Sequence, residues 1–174
     1  MSVDDKVPEA SNSYYNIEEQ GKTVDYVVMM GYDEHWGVDS GAGSVASLPW
    51  VTKGIENMVS KVSSTKVVLA VPFYTRIWEE DASGNVVSCA SVDMTTAATT
   101  LANNGITPVW VDNVGQYYGE YPSGDNTVRI WLEDAKSIEE KLKLIGTYEL
   151  AGVAEWRIGL ENNELWNTII KYTN

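Results

Sequence analysis

The chain has 174 residues and a hydrophobic fraction of 44%, enough for one domain, or one domain with a small insertion, around a real core. Its net charge of −13 excludes the electrostatics by which proteins bind nucleic acid or an anionic membrane surface, so neither is expected as a partner. One cysteine, Cys89, and one histidine, His35, leave no internal disulfide and no Cys/His zinc pattern; neither metal nor cofactor is expected. There is no G-x-S-x-G elbow, no signal peptide is visible, and no run approaches the ~18 apolar residues of a membrane span.

The first element is the run VDYVVMMGY, residues 24–32, which predicts a strand buried on both faces. It ends abruptly in Tyr32, Asp33, Glu34, His35 and Trp36. Polar and aromatic groups just past the C-terminal end of such a strand stand where α/β sheets and β/α barrels carry their chemistry. A polar, glycine-bearing loop follows, from Asp33 to Ser47. Pro49, Trp50, Val51, Ile55, Met58, Val59 and Val62 then recur at helical spacing, with proline in the first turn. Lys66 to Tyr74 is a second apolar strand, again ending in polar and aromatic groups: Tyr74, Arg76 and Trp78. Strand, helix, strand predicts a βαβ unit and a parallel sheet.

The alternation breaks over residues 79–131. A turn at Ser83-Gly84-Asn85, a short helix over Thr95 to Asn103 and two strands, 108–111 and 127–132, predict a small α+β insertion. Regular alternation resumes with Ser137 and Glu140 as a capping box, a helix carrying Ile138, Leu142 and Ile145, and a third strand, AGVAEW (151–156). A last helix is expected from Asn163 to Tyr172. Parallel strands bring Tyr32/Asp33, Tyr74/Arg76 and Trp156/Arg157 to one end of the sheet. Ten tyrosines and seven tryptophans against one phenylalanine supply flat faces with polar tips, a chemistry suited to sugar rings.

These segments carry a family resemblance. Met30-Gly31-Tyr32-Asp33 resembles the M-x-Y-D strand of glycoside hydrolase family 18, the chitinase-like enzymes; VPFYTRIW (71–78) resembles the strand before that family's insertion; GVAEWRIGLE (152–161) resembles its last barrel strand; and MSVDDKVP (1–8) looks like the tail of the strand before the first. YDEHWG and SVASLPWV look most like the branch that includes bacterial spore-cortex and cell-wall hydrolases. The resemblance implies an α/β fold, the C-terminal portion of a (β/α)8 TIM barrel: residues 1–78 from the end of strand 5 to strand 7, 79–131 the α+β insertion, 132–174 strand 8 and the terminal helix.

It also implies substrate-assisted cleavage of N-acetylglucosamine polymers, peptidoglycan or chitin. By residue match Tyr32 and Asp33 are the catalytic pair, acting on the substrate's acetamido group. Trp156 is the sugar floor, and Tyr74, Arg76 and Trp78 are substrate contacts. Thr75 stands where many members have glycine. The family's acid motif, D-x-x-D-x-D-x-E, is absent. The expectation is therefore the C-terminal part of a longer enzyme, inactive alone, whose other partner is the remainder of its own barrel. A non-catalytic sugar-binding protein on the same scaffold and an unrelated α/β binding domain are the alternatives. An extracellular, cell-wall or spore-associated setting is expected.

Overall fold

The computed structural model describes residues 16–173, so the expected strand tail at residues 1–8 lies outside the described residues. Among the described residues eight strands form two sheets. The first is parallel, in the order β1 (Val27–Met30), β2 (Val67–Pro72), β8 (Gly152–Trp156). The second is antiparallel, in the order β4 (Val86–Asp93), β3 (Tyr74–Glu80), β7 (Asn126–Leu132), β6 (Gln116–Ser123), β5 (Val109–Val111). Among the described residues, five α-helices join or flank them: α1 (Ile17–Thr23), α2 (Leu48–Val59), α3 (Met94–Asn103), α4 (Ala135–Tyr148) and α5 (Leu165–Thr173).

The main core lies on one face of the parallel sheet. Val27, Met29, Val67, Leu69 and Val71 project from that face against Val51 and Ile55 of α2, Ile138 and Leu142 of α4, and Leu165 and Ile169 of α5. The opposite face differs from expectation. β1 is not buried on both sides: Val28 is 45% exposed and Met30 37%, alternating with buried Val27 and Met29. With helices on one side only, a period of two decides which valine is covered.

The second sheet is larger than the two strands expected. Its first strand starts at Tyr74, so the boundary between the sheets falls at Phe73 and not at residue 79. Lys66 to Tyr74 is therefore two structures, β2 and the head of β3. Phe73 turns the chain between them while its N–H still donates to Trp156 O at 2.7 Å. Helix α3 packs on this sheet through Ala97 and Leu101, against Val128, Ile130 and Leu132.

The capping box of α4 is also shifted. Asp134 is the N-cap, accepting from Ser137 N at 2.8 Å, and Ser137 returns the bond to Asp134 N from the third helical position. Aspartate at 134 is a better cap than serine inside a turn that is already helical.

A buried polar network ties α4 to the second sheet. Lys141 and Glu133 are both 0% exposed, with Nζ 3.0 Å from each carboxylate oxygen. Ser137 Oγ donates to the same carboxylate at 2.6 Å and Gln116 Nε2 at 2.8 Å. Gln116 in turn accepts from Ser44, in the loop after β1. Burial pushes the Glu133 carboxyl up, and Lys141 and Ser137 pull it back.

Candidate functional site at the parallel strand ends

The C-terminal ends of β1, β2 and β8 meet the start of β3, and a cleft of about 660 Å³ opens there. That lies in the ordinary range of small-ligand sites. Backbone hydrogen bonds fix its base: Gly31 N donates to Ala70 O at 2.8 Å. A Cβ at Gly31 would stand 2.9 Å from that same oxygen and 2.9 Å from Leu69 Cδ1, so only glycine lets β1 and β2 approach this closely.

Asp33 occupies the left-handed region at φ 67°, which aspartate tolerates better than most residues. The turn aims its carboxylate at β3. Tyr74 donates its hydroxyl to Asp33 Oδ1 at 2.5 Å, and Arg76 Nη2 stands 3.6 Å from the same oxygen. Desolvation, then the bond to Asp33, pushes the Tyr74 phenol far up, so it is a hydrogen-bond donor across the whole range in which proteins work. Tyr32 packs edge-on against Tyr74, with ring centroids 6.2 Å apart. Burial and the Asp33 charge raise its phenol too. Its hydroxyl has no partner among the described residues, which leaves one donor free beside the cleft.

Trp156, at the end of β8, lines the cleft and is 54% exposed. Tyr74, Arg76, Asp33 and Trp156 thus converge as expected. Tyr32 is not among the lining residues, but its ring packs against Tyr74, which is.

Trp78 does not join them. It is 0% exposed, and its indole N–H donates to Gly43 O at 2.8 Å. Arg76 and Trp78 share one face of β3, but the loop from Asp33 to Ser47 crosses that face and seals Trp78 beneath it. Trp78 anchors a loop and is not among the residues that line the cleft. The loop is closed by Glu34, whose carboxylate accepts from Ser47 N at 2.7 Å and whose N–H donates to Val45 O at 2.9 Å. His35 Nδ1 faces two carbonyl oxygens, Ser40 O and Gly41 O, both at 3.0 Å, and therefore donates. Thr75 is 1% exposed and spends its hydroxyl on Trp131 O, so it staples β3 to β7 without entering the cleft.

The far wall holds residues that were not singled out, Ser91, Val92 and Asp93 of β4, Thr96 of α3, and Leu160; Arg157, expected at the strand end beside Trp156, lines it too. The signal for this wall was Asp93, whose carboxylate accepts from Thr96 N at 2.8 Å and caps α3. Among the described residues no group of three or more His, Cys, Asp or Glu could hold a metal ion, and no helix is long and apolar enough to cross a membrane.

Residues 2–161 match the model of glycosyl hydrolases family 18. The chain belongs to that family. It corresponds to the C-terminal part of the family 18 catalytic domain. The "uncharacterized glycosylase YvbX" of Bacillus subtilis strain 168 is 28% identical over 174 residues, 99% of this chain and 49% of that protein. The "cortical fragment-lytic enzyme" of the same organism is 28% identical over 151 residues, 84% of this chain and 34% of that protein. A chitinase structure from Chromobacterium violaceum superposes with a TM-score of 0.80 at 22% identity, over 90% of this chain and 48% of that one. The chain thus spans about half the length, or less, of these relatives. Family 18 membership and an α/β fold like the C-terminal parts of its chitinases follow from these matches.

Proposed function

We propose that this chain is the substrate-steering part of a glycoside hydrolase that cleaves β-linked N-acetylglucosamine polymers, peptidoglycan or chitin, by substrate-assisted catalysis. In this reading the parallel sheet is the closing portion of a (β/α)8 barrel, the second sheet is its insertion, and the remainder of the barrel covers the exposed Val28 and Met30 face. The observation that carries it is the convergence of Tyr74 and Arg76 on Asp33 beneath an exposed Trp156.

The chemistry follows from the groups present. The substrate's acetamido oxygen attacks its own anomeric carbon, so the protein must hold that group still. The free Tyr32 hydroxyl, kept protonated by its raised pKa, donates to the acetamido oxygen. Asp33, oriented by Tyr74 and Arg76, accepts from the acetamido N–H. Trp156 offers an apolar face to the pyranose ring. No D-x-x-D-x-D-x-E occurs in the sequence, so the chain supplies no acid of its own and is a binding and positioning unit when alone. The second reading is a sugar-binding protein without turnover, favoured if the acid motif is missing from the rest of the barrel as well.

The test is titration of the chain with N-acetylglucosamine tetramer, followed by tryptophan fluorescence, beside a hydrolysis assay. Binding without hydrolysis is expected, with Trp156→Ala weakening it at least tenfold. Supplying a family 18 segment that carries the acid motif distinguishes the readings. Restored turnover, reduced about 100-fold by Tyr32→Phe with little change in affinity, supports the enzyme. Binding with no turnover supports the sugar-binding protein. No binding removes both.

A further inference from the structure

Four charged side chains line the cleft: Asp33, Arg76, Asp93 and Arg157. Three are engaged. Asp33 is held by Tyr74 and Arg76. Arg76 also donates to Cys89 Sγ at 3.4 Å. Asp93 accepts from both the N–H and the hydroxyl of Thr96, at 2.8 and 2.6 Å. Arg157 differs. It is exposed, it directly follows the open Trp156 ring, and its guanidinium has neither a hydrogen bond nor an ion pair among the described residues.

Its place is nonetheless fixed. Leu160 N donates to Arg157 O at 3.3 Å, and Leu160 O accepts from Met94 N at 3.1 Å. The turn after β8 is therefore bound to the first residue of α3, and Arg157 is held at the cleft wall by its backbone while its side chain stays uncommitted.

We propose that Arg157 reads a carboxylate carried by the bound glycan, so that the cleft prefers an N-acetylhexosamine polymer bearing lactyl-ether carboxylates, as on N-acetylmuramic acid units, over a neutral N-acetylglucosamine polymer. The inference rests on the proposed glycan-binding reading and deepens it by naming the substrate class. A planar guanidinium matches a carboxylate with two parallel hydrogen bonds, which an ammonium does not.

The local charges do not oppose it: the two carboxylates facing this cleft, Asp33 and Asp93, are matched by Arg76 and Arg157, although the chain as a whole carries −13. Repulsion from distant charges is screened beyond about 8 Å at physiological ionic strength. A neutral polymer would need no cation on this wall; a carboxylated one would need a cation placed where its charge lands.

Calorimetric titration of the full chain tests it with three tetrasaccharides of equal length: N-acetylglucosamine alone, alternating N-acetylglucosamine and N-acetylmuramic acid with free lactyl carboxylates, and the same oligomer as its methyl ester. A fourth probe carries peptide stems amide-linked through the lactyl groups. Roughly tenfold tighter binding of the free acid than of its ester is expected, narrowing with added salt. Arg157→Leu should abolish that difference, and Arg157→Lys should keep part of it. A preference confined to the peptide-bearing oligomer and lost in Arg157→Leu supports the carboxylate site and moves its source to the stem. Equal binding of acid and ester, or a preference that survives Arg157→Leu, overturns the inference while leaving glycan binding intact. Failure of every oligomer to bind removes the underlying reading as well.

Discussion

In the parallel sheet, strands and helices meet through valine, leucine, isoleucine and methionine on one face, and Gly31 lies against the Ala70 backbone with no room for a Cβ. The antiparallel sheet has a smaller apolar cluster, around Ala97, Leu101, Val128, Ile130 and Leu132. It leans instead on polar and aromatic pairs. Arg129 bridges Glu80 and Glu120, Tyr118 packs on Trp131 with centroids 4.8 Å apart, and Lys136 lies 3.6 Å over the Trp110 ring. The Glu133–Lys141 network joins this sheet to α4, and through Ser44 to the loop beside the cleft. The difference teaches how the cleft is built. One wall is set by steric packing, which tolerates no added volume. The other is set by directional polar bonds, which tolerate no missing partner.

Removing a partner should therefore produce the largest effect. Lys141→Met leaves the Glu133 carboxylate buried with its charge uncompensated, which costs about 3–5 kcal/mol. Urea denaturation measures it. Adding Glu133→Leu should recover much of the loss, because two apolar side chains need no mutual geometry. A single variant as stable as the parent would mean that the ion pair does not hold the second wall in place. Adding volume tests the other wall. Gly31→Ala places a methyl 2.9 Å from Ala70 O, a backbone atom that cannot rotate away. About 1–3 kcal/mol of destabilisation is expected in the same assay. A neutral outcome would show that β1 slides freely on β2, and the steric account of that wall would fall.

The contrast also explains what the sequence disclosed. The parallel strands were legible because Tyr26–Gly31, Val67–Phe73 and Ala151–Ala154 are short apolar runs that stop at polar groups. Their order alone brings Asp33, Tyr74, Arg76 and Trp156 together. The antiparallel sheet was half hidden. β4 reads VVSCASVD and β6 reads QYYGEYPS, in which small, polar and aromatic residues blur a period of two. The break at Phe73 was invisible, because residues 67–78 read as apolar and aromatic on both sides of it. Trp78 misled for a tertiary reason. Two residues from Arg76 on one strand, it points the same way, and only the loop from β1 decides that it is covered. Arg157 was visible as a strand-end residue, but that its guanidinium lacks a partner is a fact of the fold.

The smallest predicted effect lies on the parallel sheet, at a polar group that steric packing cannot satisfy. Glu155 pairs in register with Val71 and follows Val153 on the face that packs against the helices. Partial burial raises its carboxyl above the ordinary carboxylate value. A raised carboxyl means that the folded state holds its proton more tightly than the unfolded chain does. Stability from this group is then fully present below the ordinary carboxylate pKa and is lost as pH rises through the raised one. Glu155→Gln keeps the shape and removes the charge, so it should raise the melting temperature at pH 7. The group is only partly buried and solvent screens its charge, so the gain should be about 1 °C. Below pH 4 the two proteins should melt together. If Glu155→Gln melts lower at pH 7, the carboxylate makes a stabilising contact that outweighs the cost of its partial burial, and the parallel sheet relies on polar partners just as the antiparallel one does.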